Sequence, residues 1–142
     1  MNRLQILEER IGLYLEQLDL HAEQSDDGLY LFAYGSTVVM ISLFEEQQDT
    51  FVRFASVMLR EFEPSLELLQ RILRLNTEVL FGSFLLFEDN TLSFSATLLG
   101  NTLDVDAFDR TLRYVAKVSD DYDDELQALG GGHRAQDLLE GA

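Results

Sequence analysis

Three consecutive strand-like runs, separated by short polar turns, limit the folds open to this chain more than any other feature of its sequence. Residues 29–34, 37–44 and 50–58 are rich in aliphatic and aromatic residues, and Gly35-Ser36 and the polar segment 45–49 interrupt them. Runs of this composition and length predict β-strands. Because the connections are short, the sequence predicts an antiparallel meander.

A helix is predicted before this meander and another directly after it. In the first segment apolar residues recur at steps of three and four, which is typical of an amphipathic helix: Leu4, Leu7, Ile11, Tyr14, Leu15 and Leu18. This pattern ends at residues 21–24. Glu63-Pro64-Ser65 begins the second helix, whose predicted apolar stripe is Leu66, Leu69, Ile72 and Leu73.

Two further strands and a last helix complete the pattern. Residues 79–87 predict a fourth strand, with Gly82 marking a bulge or a close backbone approach, and a fifth strand ends at Leu99. The turn between them is 88–90. Asp104 is a candidate N-cap of the third helix, which the glycines at 130–132 end.

The predicted order is therefore α-β-β-β-α-β-β-α. This order indicates an α+β fold in which helices pack on a five-stranded antiparallel sheet. The length of 142 residues fits one domain, and we assign it to residues 1–132. Residues 133–142 are predicted to be a mobile tail.

The charge balance excludes several classes of partner. The chain has 26 acidic residues against 10 lysines and arginines, a formal charge of −16, so binding to nucleic acid or to an anionic membrane is not expected. Such a charge favours solubility, and it also suits a partner with a basic segment. The absence of cysteine excludes thiol chemistry. The N-terminus lacks the pattern of a signal peptide and no apolar run is long enough to span a membrane, so a cytoplasmic protein is expected.

No catalytic, metal-binding or cofactor-binding site is predicted. His21 and His133 have no partner at the spacing of metal ligands. The acidic run 119–125 suggests calcium, but it lacks the spacing and central glycine of an EF-hand loop. These acids fit the solvent face of the third helix, with Tyr122 and Leu126 turned inward. The sequence shows no pocket that would hold a catalytic carboxylate pair.

Apolar residues lie on both faces of most predicted strands. In the run 37–44, Val38 and Met40 point one way, and Val39, Ile41 and Leu43 the other. Three helices do not easily cover both faces of a five-stranded sheet, so apolar surface is left for another chain. The alternative is that the third helix crosses to the second face, or that twist closes the sheet on itself.

Two sets of residues are candidates for these contacts. An extended polypeptide client, lying on the meander or adding to a strand edge, is expected to contact Tyr30, Phe32, Tyr34, Met40 and Phe44. A homodimer interface is expected to use Leu69, Leu73, Phe81, Leu85 and Phe87.

The chain resembles a known family in its element order and in one stretch. Leu75-Asn76, followed by a strand with Gly82 in residues 80–87, an acidic turn and another strand, is similar to the YbjN family of type III secretion chaperone-like proteins. The likeness covers about residues 1–132. It implies a fold like that of class I secretion chaperones, which are small, acidic, cytoplasmic and usually homodimeric. It implies binding to an extended segment of another protein and carries no catalytic motif.

The expected function is therefore that of a non-enzymatic, homodimeric, chaperone-like protein that binds segments of another polypeptide. Two alternatives stay open at this point. One is a structural or regulatory adaptor whose strong interface is its own dimer. The other is a small enzyme or ligand-binding domain with an apolar pocket.

Overall fold

The computed structural model describes residues 1–130, and the predicted tail at 133–142 lies outside them. The elements are α1 (Arg3–Gln17), β1 (Glu23–Gln24), β2 (Tyr30–Tyr34), β3 (Thr37–Glu46), β4 (Asp49–Leu59), α2 (Leu66–Glu78), β5 (Ser83–Leu86), β6 (Leu92–Leu99) and α3 (Val105–Gly130). The predicted α+β class and the order of the three helices are confirmed.

The sheet has six antiparallel strands in the order β1-β2-β3-β4-β6-β5, where the sequence predicted five. The additional strand is β1, which pairs Glu23 with Leu31. The sequence placed these residues at the end of the first helix. That helix ends earlier because Asp19 adopts a positive φ of 53°, and the Leu20 amide donates to the Leu15 carbonyl over 2.9 Å. This is the Schellman ending of a helix.

The core lies between the helices and one face of the sheet. Val39 and Ile41 of β3 and Phe54 of β4 have no exposed surface, and neither does Phe108 of α3. The rings of Phe54 and Phe108 lie 5.3 Å apart. α1 contributes Leu7, Ile11 and Leu15, as its periodicity predicted. The strand residues of the opposite parity point away from these helices.

α2 has two apolar stripes that share Ile72, and Ile72 is the residue of the predicted stripe that is fully buried. Ser65 is its N-cap and accepts from the Leu68 amide over 3.1 Å, so Pro64 lies just before the helix. The buried residues are Leu68, Ile72 and Leu75. Leu66 and Leu73, which were predicted to face the core, are 71% and 69% exposed. The core-facing stripe starts two residues later than expected.

α3 begins as predicted but buries one residue that was expected in solvent. The Ala107 amide donates to Asp104 Oδ1 over 2.8 Å, which confirms the cap. Asp123 was assigned to the solvent face, yet it is buried. The Ser36 hydroxyl of the β2–β3 turn packs there, 2.7 Å from Asp120 Oδ1 and 3.2 Å from Asp123 Oδ2. These polar contacts attach the β2–β3 turn to α3.

Candidate functional site

The face of the sheet that points away from the helices is called the open face here. Its side chains are Leu31, Ala33, Val38, Met40, Ser42, Phe44, Phe51, Arg53, Ala55, Val57, Ser83, Leu85, Ser93, Ser95, Thr97 and Leu99. Its apolar residues are half-buried or exposed, whereas the buried apolar residues of β3 and β4 before Met58, and those of β6, have the other parity and pack with the helices in the core. Two small residues of the open face, Ser93 and Ser95, are also buried. The expected two-sided apolar sheet is therefore present.

An apolar row crosses the open face at one end. Phe44 pairs with Phe51, and Phe51 pairs with Leu99, on three adjacent strands. The two phenylalanine rings stack with centroids 5.3 Å apart. The guanidinium of Arg53 lies 4.8 Å from the centre of the Phe44 ring and donates to Thr97 Oγ1 over 3.2 Å. Leu99, at the end of the row, is 47% exposed.

A shallow groove adjoins this row. Small side chains form its floor, mainly Ala55, Ser93 and Ser95. Larger side chains, Leu85, Phe87 and Arg53, rise around it. The difference in size between these two sets of side chains produces the groove.

The sheet divides the predicted client contacts into two groups. Met40 and Phe44 lie on the open face. Tyr30 and Phe32 are in register with Ile41 and Val39 on the covered face, where they pack against the core. Burial and the nearby carboxylate of Glu8 in α1 raise the pKa of Tyr30. Tyr34 shares their parity but is exposed at the β2–β3 turn. The structure does not bring the five residues together.

The predicted dimer residues surround the free side of β5, and this region is called the α2–β5 patch. Leu73, Phe81, Leu85 and Phe87 are exposed, and Leu69 is half-buried. Sequence reasoning missed three exposed neighbours: Leu66, Leu80 and Leu86.

Two polar side chains fix the backbone of this patch. Asn76 of α2 accepts from the Phe84 amide over 2.7 Å, and its own amide donates to the Phe84 carbonyl over 3.1 Å. The Tyr114 hydroxyl accepts from the Leu80 amide over 2.9 Å, while its ring stacks on Phe81 with centroids 4.2 Å apart. These hydrogen bonds therefore fix the backbone of the segment that carries the exposed apolar side chains.

Gly82 brings this segment close to the sheet. It lies just before β5 and not inside a strand as predicted, with a φ of 77°. A Cβ at this position would lie 2.7 Å from the Ser95 carbonyl oxygen. The predicted close backbone approach is confirmed, and the predicted strand begins at Ser83 instead of Val79.

The histidines and the acidic side chains were considered from the sequence as possible metal ligands, and the structure shows where they lie. Within residues 1–130, no three or more His, Asp or Glu side chains are grouped so that they could hold a metal ion. His21 is almost fully exposed, 4.0 Å from Asp19, and His133 lies outside the described part of the chain. Arg71 of α2 binds both carboxylate oxygens of Glu125, and these hydrogen bonds hold the pKa of Glu125 below its ordinary value.

None of the helices in the described part of the chain has the length and apolar character to span a bilayer.

Comparison with known proteins gives a family and a fold. A family model described as "T3SS (YopN, CesT) and YbjN peptide-binding chaperone 1" matches residues 6–138. The structure of the ExsC–ExsE complex matches with a TM-score of 0.69 and 12% identity, over 89% of this chain and 97% of that chain. The Yersinia pestis type III secretion chaperone SycH, in complex with a stable fragment of YscM2, matches with a TM-score of 0.59 and 15% identity, over 81% and 98%. No curated protein sequence matches the chain.

Proposed function

This chain belongs to the family of T3SS (YopN, CesT) and YbjN peptide-binding chaperones, and from that membership we propose that it is a non-enzymatic homodimer that binds extended segments of other polypeptides. The observation that carries the proposal is the open face. Met40, Phe44 and Phe51 are half-buried on this face and Leu99 is exposed, in a chain with a formal charge of −16.

The open face suits an unfolded segment better than a folded partner or a small molecule. Its apolar residues are spread over adjacent strands, and its groove is shallow and floored by small side chains. Aromatic residues and methionine supply large contact areas that adapt to different sequences. The solved complexes of ExsC with ExsE and of SycH with YscM2 are of proteins with this fold, which supports a polypeptide partner here.

An array of ten-residue peptides of random sequence tests this function. Binding of the tightest peptides is then measured by fluorescence anisotropy. Because burial of a methionine or phenylalanine side chain contributes about 1.5–3 kcal/mol, we expect Met40→Ser and Phe44→Ser each to weaken binding by roughly tenfold or more.

The matched control is Leu13→Ser, which removes an apolar side chain that is 59% exposed on α1. We expect this variant to bind peptides as the unchanged protein does. A protein that binds no peptide of the array, or variants that all behave alike, would contradict the proposal.

We assign the homodimer interface to the α2–β5 patch. The outer stripe of α2, with Leu69 and Leu73, and the edge of β5, with Leu85 and Phe87, form neighbouring exposed apolar surfaces. A stable dimer buries on the order of 1,200–2,000 Å² in total. Light scattering coupled to size-exclusion chromatography at micromolar protein is expected to give twice the chain mass of 16.2 kDa. The monomer mass under these conditions would contradict the assignment.

A further inference from the structure

A small polar cavity lies at one end of the sheet, between β3, β4 and α3. Its volume is about 10 Å³, which leaves room for about one water molecule. The residues that line it include Ser36 and Thr37 at the start of β3, Val57 and Met58 of β4, and Ser119 and Asp123 of α3.

The cavity lies where β3 and β4 separate. Their pairs end at Val39 with Ser56, although β3 begins at Thr37 and β4 continues to Leu59. The register of β4 with β6 also shifts between Val57 and Leu59. Backbone groups that lose a strand partner inside a protein are satisfied by side chains or by ordered water. The separation of the two strands therefore creates a need for polar partners at this place.

Ser119 brings a buried hydroxyl group to the cavity. The residue is 2% exposed, and its Oγ has no hydrogen-bond partner among residues 1–130. A serine within a helix commonly donates to the carbonyl four residues before it, and Ser119 does not. Because buried hydroxyls are nearly always hydrogen-bonded, to protein or to ordered water, the Ser119 hydroxyl needs a partner inside the cavity.

Asp123, one helical turn after Ser119, supplies an acceptor in the same cavity. The Ser36 hydroxyl lies 2.7 Å from Asp120 Oδ1 and 3.2 Å from Asp123 Oδ2. Its single hydrogen is directed mainly along the shorter of these contacts. A carboxylate has sites for about four hydrogen bonds, so Asp123 can accept one from a water molecule in addition to its other contacts.

We propose that this cavity binds one ordered water molecule, which joins Ser119 and Asp123 of α3 to the diverging ends of β3 and β4. The inference does not rest on the proposed peptide-binding function. A buried water typically forms about three hydrogen bonds, and here it donates to Asp123, binds the Ser119 hydroxyl and has a third bond for the strand ends. A calcium ion takes about 6–8 oxygen ligands, and no three acidic side chains of residues 1–130 are grouped to provide them.

A high-resolution crystal structure of the full chain tests the site directly. We expect one ordered water within hydrogen-bonding distance of both Ser119 Oγ and a carboxylate oxygen of Asp123. Absence of density in the cavity, or a Ser119 hydroxyl that donates to the Val115 carbonyl, would overturn the proposal. A metal ion in the cavity, recognised by shorter and more numerous oxygen contacts, would overturn it as well.

Oxygen-17 relaxation dispersion counts long-lived water molecules in solution. We expect Ser119→Val, whose methyl groups fill the cavity, to hold one such water fewer than the unchanged protein. Thr111→Val is the matched control, because Thr111 is also buried in α3, with 4% exposure, and does not line this cavity. This control should keep the full count, and an equal count in all three proteins would contradict the proposal.

Ser119→Ala provides a second test that does not depend on how α3 accommodates valine. It removes the hydroxyl without adding volume, and the loss of one hydrogen bond is expected to shorten the residence time of the water about tenfold. An unchanged residence time would count against the site.

Melting temperatures in sodium chloride and in choline chloride of equal concentration separate a water from a cation. We expect the same melting temperature in the two salts. A higher value in sodium chloride that Ser119→Ala abolishes would assign the cavity to a sodium ion and overturn the proposal.

Discussion

Single residues with unusual backbone roles hold the α2–β5 patch in place. Gly82 allows the chain to pass within van der Waals distance of β6, and Asn76 gives β5 a hydrogen-bonding partner on its outer side. Tyr114 joins the same segment to α3. Each of them contacts backbone atoms of the patch, so the exposed leucines and Phe87 are not needed to hold this segment in place.

Substitution of Gly82 by alanine is expected to destabilise the protein, although it adds only one methyl group. Alanine at this position combines a positive φ with a Cβ 2.7 Å from the Ser95 carbonyl oxygen. We expect Gly82→Ala to cost about 1–3 kcal/mol in the free energy of unfolding, measured by chemical denaturation. Gly12→Ala in α1 is the control, because a Cβ there meets nothing within 4 Å, and it should stabilise by about 0.5–1 kcal/mol. Equal effects would contradict the geometry at Gly82.

The Arg71–Glu125 pair is expected to make stability depend on acid pH. Hydrogen bonding to Arg71 lowers the pKa of Glu125 from its ordinary value of 4.5. A carboxyl whose pKa is lower in the folded state stabilises the fold above the unfolded pKa, and this contribution is lost as the pH falls through the folded pKa. Glu125→Gln should therefore lower the melting temperature at pH 7 and not at pH 3.

The effect should be small and sensitive to salt, since both side chains are partly exposed. Glu9→Gln on α1 changes the same charge without breaking an ion pair and serves as the control. A difference between wild type and Glu125→Gln that stays constant from pH 7 to pH 3 would show that charge at this position does not matter.

At the scale of elements, the hydropathy of the sequence predicted which segments are helices or strands, and their order. It predicted less well which face of each element is buried. The strands β2, β3 and β4 follow from their aliphatic and aromatic composition, and the inner face of α1 follows from a period of 3.6. Both signals are set by neighbouring residues in the sequence. This reasoning fails in part for α2, because Ile72 continues a regular stripe both with Leu66, Leu69 and Leu73 and with Leu68 and Leu75. Only the packing of Leu68 against the rest of the core selects between them. β1 has two residues and leaves no period to detect.

The two stripes of α2 are expected to respond differently to the same substitution. Leu75→Ser places a hydroxyl and a cavity in the core, because Leu75 has no exposed surface, and should cost about 2–5 kcal/mol in unfolding free energy. Leu73→Ser should change the unfolding free energy of the monomer by less than about 0.5 kcal/mol. It should raise the dissociation constant of the dimer, measured by analytical ultracentrifugation. A heavily destabilised Leu73→Ser would place this residue in the core.

At the scale of the whole molecule, the sequence predicted apolar surface that the helices do not cover. It did not predict which of the apolar residues lie on the uncovered face of the sheet. The parity of each strand was clear, as with Met40 against Ile41. The register between β2 and β3 decides which residues of the two strands share a face of the sheet. In this register Tyr30 lies opposite Ile41. That register places Tyr30 and Phe32 under the helices, on the far side of the sheet from Met40 and Phe44.

The methionines allow the central claim, that the open face binds peptides, to be measured within one molecule. Met40 lies on the open face, and Met58 of β4 is buried in the core with 4% exposure. The methyl groups of both can be labelled with ¹³C and followed by NMR while the tightest peptide of the array is added to saturation. We expect the Met40 methyl signal to shift and the Met58 signal to stay in place. A Met40 signal that does not move at saturation, or a larger shift at Met58, would contradict peptide binding at the open face.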